Sequence, residues 1–292
     1  MGRDLAERLE VCRDLFGKGN DILGRDLRRI CFEGPDDLLT QTDNAQPGIL
    51  LTSLICLEAL RAQMPSLTFG AVAGLSLGEF TALTVAGALT VEDGLALVQQ
   101  RGRFMQEACD ATSGSMASII GMDELVLTEV CREADVDIAN LNCPGQIVIS
   151  GQTDKIGKAV ELAKARGAKR ALPLQVAGAY HSRLMRVAQE KLAAVLADVT
   201  IREPTVTVVH NVTARPAERV GEIKELLVRQ VTSSVRWADS MEWLITQGYT
   251  RFIELGPGSV LSGLMKRINK GVEMLGVADS ATLDATVAKL AT

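Results

Sequence analysis

Residues 71–87 read AVAGLSLGEFTALTVAG. A short apolar run ends in Gly74-x-Ser76-x-Gly78, and a helical apolar pattern follows at once. A strand turning sharply into a helix, with serine at the corner, is the arrangement an exposed serine nucleophile requires. The tight turn predicts small residues on both sides of Ser76. It also predicts that the Leu77 N–H, at the head of the helix, points to where an oxyanion would form. The helix N-terminus adds favourable potential there, and Glu79 in the first turn suits the same field. A bare Gly-x-Ser-x-Gly is a weak signal, and the strand before it and helix after it make it specific. The bland alternative is a Gly-rich turn carrying an ordinary serine.

Outward from this corner, strand-like runs fall at Phe69–Gly74, Ser115–Ile120, Ile147–Ser150, Arg170–Val176, Thr205–His210 and Arg251–Leu255. Helical patterns separate nearly all of them, which argues α/β with a largely parallel sheet. Residues from about 112 to 177 differ. They run strand, helix (Asp123–Ala134), a strand pair around IANLNCPGQIVISG, helix (Thr153–Arg166) and strand. This β-α-β-β-α-β order is ferredoxin-like, with Pro144-Gly145 as the hairpin turn. The expected architecture is therefore a catalytic domain of residues 1–111 and 178–292 with a small subdomain, 112–177, inserted in it. The opening MGRDLAERLEVCRDLF reads as one amphipathic helix. The apolar run Gly48–Leu60 contains Glu58, is too short to span a bilayer, and reads as a core helix with Pro47 in its first turn.

Composition narrows the function. The 292 residues are 47% hydrophobic and 23% charged, as expected for a globular protein with a real core. A net charge of −5 and only 3% aromatics argue against a nucleic-acid binder, which would carry a basic excess and stacking platforms. The six cysteines, Cys12, Cys31, Cys56, Cys109, Cys131 and Cys143, form no C-x-x-C pair. They read as reduced, buried thiols of a cytoplasmic protein. With two histidines, a multi-histidine metal site is excluded.

A serine nucleophile needs a base within hydrogen-bond reach. His181 lies where a strand hands over to the helix Ser182–Ala197, and His210 lies at a strand end before a turn. Both sit at element ends, where catalytic side chains tend to be placed, and the pattern alone leaves both open. An acid behind the histidine could be any of many Asp and Glu residues. The helix after Thr90 has a capping box with Asp93 and an apolar stripe of Leu97, Val98 and Met105. Arg101 falls on that stripe. A buried arginine needs an anion, either a structural carboxylate or a ligand carboxylate held bidentately.

Together these residues resemble the malonyl-CoA:acyl-carrier-protein transacylases. GLSLGEFTALTVAGALT, QQRGRFMQEA, NCPGQIVISG, VAGAYHS, LLVRQVTSSVRW and FIELGPGSVLSGLMKRI occur in the family's order and spacing over nearly the whole chain. The resemblance implies an α/β-hydrolase-like core with an inserted ferredoxin-like subdomain and a Ser76–His181 dyad with no acid behind the histidine. The Gln230 carbonyl orients the ring instead. Leu77 supplies an oxyanion N–H and Arg101 pairs with the malonyl carboxylate. Asn142 and the turn Gly256-Pro257-Gly258 shape the pocket or its supports. Leu77 and Tyr180 fit a preference for malonyl over methylmalonyl. The implied partners are malonyl-CoA and acyl carrier protein, with no cofactor, no nucleic acid and no membrane, and the chain acting as a monomer. Lys266 and Arg267 are candidates to face the acidic carrier protein.

Two departures accompany the resemblance. The family usually has histidine before the nucleophile, where this chain has Leu75, as a subset of the family does. The family also begins with a strand and a Gly-Gln-Gly-x-Gln loop that supplies the second oxyanion N–H. This chain starts at MGRDLAERLE, matching the segment just after that loop. The expected explanation is a chain start placed at a downstream methionine, the alternative a shortened and weakly active protein. The rival functions are an acyl-CoA thioesterase using the same elbow and a non-catalytic carrier-protein-binding module.

Overall fold

The computed structural model describes residues 1–291 and is mixed α/β. It opens with helices α1 (Arg3–Arg8), α2 (Glu10–Leu23), α3 (Leu27–Glu33), α4 (Asp36–Thr40) and α5 (Thr42–Gln63). Strand β1 (Ala71–Ala73) and helices α6 (Gly78–Val85) and α7 (Val91–Asp110) follow. Next come β2 (Gly114–Ile120), α8 (Glu124–Ala134), β3 (Asp137–Cys143), β4 (Gln146–Gln152), α9 (Thr153–Ala165) and β5 (Arg170–Pro173). A 3-10 turn, Arg183–Met185, leads into α10 (Arg186–Ala197), then β6 (Thr207–Val209) and α11 (Val220–Gln230). The order closes with α12 (Trp237–Thr246), β7 (Arg251–Leu255), α13 (Val260–Ile268), β8 (Glu273–Val277) and α14 (Ser280–Leu290). The chain divides into two compact units. One holds Met1–Gly102, Arg202–Val208 and the residues from Leu244 onward, the other Arg103–Ile201 and Val209–Trp243.

The first unit is built around α5, whose Leu50, Leu51 and Ile55 are fully buried. Pro47 lies inside this helix, because the helix starts at Thr42 rather than just before the apolar run. Proline has no N–H for the Asp43 carbonyl one turn back. The Arg25 guanidinium donates to that carbonyl instead, which lets the helix pass through the proline. The helix expected at the N-terminus is two helices, divided at Leu9, which is extended. Strand β1 is joined to β6, with the Thr207 N–H donating to Gly70 O at 3.1 Å. Strands β7 and β8 run parallel. Strand β8 was not foreseen, since Glu273 and Gly276 interrupt its short apolar run. At the end of β7, the Glu254 carboxylate accepts from the N–H groups of Leu261 and Ser262, at 2.9 and 2.8 Å. It thereby satisfies the first turn of α13, whose N-cap residue makes no side-chain bond.

The second unit contains an antiparallel four-stranded sheet in the order β3-β4-β2-β5. Strand alternation sends Ala117 and Ile119 of β2 and Ile147 and Ile149 of β4 to one face. There they pack with Leu127 and Val130 of α8 and Ile156 and Val160 of α9. Met116, Ala139 and Val148 form a smaller cluster joined by Tyr180. Gly145 takes φ +70° in the β3–β4 turn, as the Pro-Gly reading expects.

All six cysteines are buried. Burial pushes the thiols of Cys12 and Cys31 up to about 11, and those of Cys56 and Cys131 up to about 12. Among the described residues, no helix is long and apolar enough to cross a membrane.

Candidate active site

Ser76 sits at φ +53°, in the left-handed region that side chains normally avoid. What holds it there is close backbone packing. A Cβ on Gly74 would lie 2.0 Å from the carbonyl carbon and oxygen of Gly78, so position 74 admits no side chain. The converse does not hold, because a Cβ on Gly78 would meet nothing within 4 Å. The expectation of two obligatory small residues is thus correct for Gly74 and not for Gly78. After the corner, Gly78, Glu79 and Phe80 donate to the carbonyls of Leu75, Ser76 and Leu77. Leu77 is already helical, at φ −51° and ψ −39°. Its N–H heads α6, where amides have no partner within the helix. Glu79 is fully buried.

Arg101 is 2% exposed and lies on the buried stripe of α7 with Leu97, Val98 and Met105. The helix is started as expected, with the Asp93 N–H donating to Thr90 Oγ at 3.0 Å. Arg101 Nη1 donates to Gln46 Oε1 at 2.5 Å, and Nη2 donates to Ser76 Oγ at 2.9 Å. The guanidinium carbon stands 5.5 Å from the centre of the Phe80 ring. Arginine keeps its charge at any working pH. A permanent cation is therefore held against the serine hydroxyl. Sequence reading missed Gln46, because one polar residue just before Pro47 carries no local signal.

His181 and Gln230 lie in the second unit and are buried. His181 also has a positive φ, +56°. Its Nδ1 is 2.9 Å from Gln230 O. Gln230 is the last residue of α11, and the last carbonyls of a helix have no intrahelical amide to accept from. That carbonyl can therefore take a ring proton. With Nδ1 donating, Nε2 carries the lone pair. The Gln230 side chain also reaches Asn211, its Nε2 standing 3.5 Å from Asn211 Oδ1.

The remaining sequence candidates have these positions. Tyr180 packs on Met116, Ala139 and Val148, and its hydroxyl hydrogen-bonds the Cys109 thiol. Asn142 is in β3 with its Oδ1 buried and unpaired. In the Gly-Pro-Gly turn a Cβ on Gly256 would lie 2.4 Å from Ser53 Oγ, and both glycines have positive φ. Lys266 and Arg267 are exposed in the last turn of α13. His210 is buried, and its backbone bridges to Arg215 in a turn.

A serine held at positive φ where a strand hands over to a helix has the geometry of a nucleophile elbow, and the chain belongs to the acyl transferase domain family, whose model matches residues 1–288. Within that family it is similar to malonyl transacylases. The malonyl CoA-acyl carrier protein transacylase of Bacillus subtilis (strain 168) is 43% identical over 295 residues, covering 99% of this chain and 92% of that protein. The crystal structure of acyl-carrier-protein-S-malonyltransferase from Bartonella henselae superposes with a TM-score of 0.94 at 38% identity, over all of this chain and 95% of that one. A malonyl-transacylase solved in complex with its type II PKS acyl-carrier protein superposes with a TM-score of 0.95 at 36% identity, covering 99% and 94% of the two chains.

Proposed function

We propose that Ser76 is the nucleophile and His181 the base with which this chain moves a malonyl group from malonyl-CoA to acyl carrier protein. It is an acyltransferase of fatty-acid synthesis and works by ping-pong exchange. His181 Nε2 takes the Ser76 proton as Oγ attacks the thioester carbonyl, and the Leu77 N–H receives the developing oxyanion. The tetrahedral species collapses, the C–S bond breaks, and His181 protonates the departing CoA thiolate. The phosphopantetheine thiol of acyl carrier protein then attacks the malonyl-serine ester by the same steps in reverse. Gln230 holds the ring in the required tautomer, and Arg101 anchors the free malonyl carboxylate. Asn142 supports the pocket, and Tyr180 forms a wall against an α-methyl substituent.

The Arg101 to Ser76 contact of 2.9 Å carries this reading, because a cation next to the proposed nucleophile supports selection of a carboxylated acyl group. A simple thioesterase has no use for that charge, whereas an enzyme selecting a carboxylated acyl group does. We read residues 112–177 as a ferredoxin-like subdomain inserted in an α/β-hydrolase-like core of residues 1–111 and 178–292. The strand order and the antiparallel sheet of the second unit support this. The buried cysteines fit a reducing compartment such as the cytoplasm. The test is to incubate the protein with malonyl-CoA and map the adduct by mass spectrometry. Malonyl on the Ser76 peptide, chased onto holo acyl carrier protein, is the expected result. Release of free malonate without transfer would point to the thioesterase, and no adduct at all to a non-catalytic module.

A further inference from the structure

A left-handed backbone at a non-glycine residue persists only where the surroundings hold it. At His181 they do so through groups with no part in the chemistry above. Ser182 Oγ donates to Ala179 O at 2.7 Å and accepts from the Leu184 N–H at 3.2 Å, closing the chain around the histidine. The next residue, Arg183, is tied to the start of β3. Its backbone N–H donates to Asp137 Oδ2 at 2.9 Å. Its guanidinium forks the same carboxylate, with Nε 3.1 Å from Oδ2 and Nη2 2.9 Å from Oδ1. The remaining arm, Nη1, reaches Asp135 Oδ1 at 2.6 Å, and Asp135 also takes Lys155 Nζ at 2.6 Å.

The ring's hydrogen-bond partner is tied to the same strand. Past Gln230, Ser234 Oγ donates to Ile138 O. The Val235 N–H donates to Ala139 O at 2.8 Å, and Val235 O accepts from Leu141 at 2.9 Å. Strand β3 therefore holds both partners. Asp137 fixes the chain on the His181 side, and Ile138 to Leu141 fix the chain on the Gln230 side. Their spacing is set by adjacent residues of one hydrogen-bonded strand.

We infer that Asp137 and Arg183 are positioning residues, clamping the backbone after His181 so that Nδ1 meets the Gln230 carbonyl and Nε2 is left as the basic nitrogen. The inference rests on the reading of His181 as base. Half of the Arg183 side chain is exposed, and ion pairs so placed add little to stability, so the role is geometric. Its loss should alter ring chemistry and turnover far more than folding.

The chain has two histidines, so ring-nitrogen NMR of ¹⁵N-histidine-labelled protein reports on His181 with His210 as internal reference. The unmodified protein should show a neutral His181 protonated at Nδ1. In Asp137→Asn the Nε2–H tautomer should appear, and kcat should fall about 10- to 100-fold with KM for malonyl-CoA within about twofold. His210 signals should not move. Arg183→Lys keeps the charge and the backbone contact but not the fork, and should lie between the two. It also serves as the test if Asp137→Asn does not fold. Unchanged His181 signals and turnover in the folded variants would overturn the clamp. A turnover loss matched only by the unfolded fraction, with unaltered ring signals, would do the same. His181→Ala separates the two claims. If it still forms malonyl-Ser76, the base assignment fails, and the ring signals of Asp137→Asn still judge the clamp.

Discussion

Ser76 and His181 share one unusual feature, a left-handed backbone at φ +53° and +56°, and differ in what enforces it. At Ser76 the cause lies within five residues. Gly74 packs against the backbone of Gly78, and the chain has no other way round the corner. At His181 the contacts argued to hold it lie far along the chain, at Asp137, which binds Arg183 46 residues away, and at Gln230, 49 residues from His181. The first kind of constraint leaves a compact sequence motif, and the second leaves none. Two halves of a proposed dyad can thus carry equal strain, one legible in the chain and the other only in the fold.

The largest expected effects test the chemistry assigned to each half. Ser76→Ala should form no acyl-enzyme. His181→Ala should slow acyl-serine formation by about 10³-fold or more, in single-turnover mass spectrometry. His210→Ala should leave it nearly unchanged, and the reverse pattern would move the histidine half elsewhere. Next comes the cation beside Ser76. Arg101→Ala should cut the kcat/KM preference for malonyl-CoA over acetyl-CoA by about 100-fold. Unchanged selectivity would remove the carboxylate clamp from the serine half.

A smaller effect addresses the local constraint itself. Gly74→Ala should cost about 3 kcal/mol in urea unfolding, because the new Cβ meets backbone that cannot yield. Gly78→Ala should change stability by less than about 1 kcal/mol, since alanine meets nothing there and favours helix. Equal damage at both positions would break the one-sided account of the corner.

The smallest effect concerns the thiols, which belong to neither half. Burial raises Cys56 and Cys131 to about 12, so the folded state keeps protons that the unfolded chain gives up. Their contribution to stability is complete below the ordinary thiol value of about 8.5 and is lost as pH rises toward the folded value. Urea midpoints should therefore be insensitive to these thiols at pH 7 and drift down above about pH 9. Iodoacetamide at pH 9 should leave both unmodified until the chain is unfolded.

The same division between local and distant causes runs through the fold. The helices α8 and α9 and the β3–β4 hairpin were legible, because each announces itself by its own periodicity or turn residues. Strand β8 was not, since its identity comes from pairing with β7. The course of α5 through Pro47 was missed for a similar reason. The carbonyl that proline strands is satisfied by Arg25, a residue outside the helix. Gln46 escaped notice because only the fold brings its amide to Arg101, 55 residues along the chain.

By itself, the sequence determined the strand-to-helix corner at Ser76, the buried stripe that carries Arg101, the β-α-β-β-α-β order from β2 to β5 and the family. Each of these depends on residues close together in the chain, or on several short motifs kept in order. Only the tertiary structure decided that Arg101 donates to Ser76 Oγ, while the Gln230 carbonyl beside His181 was already expected from the family resemblance. The tertiary structure alone tied His181 and Gln230 to one strand. Hydrogen bonds have a reach of about 3 Å, and which distant groups come within it is settled by packing.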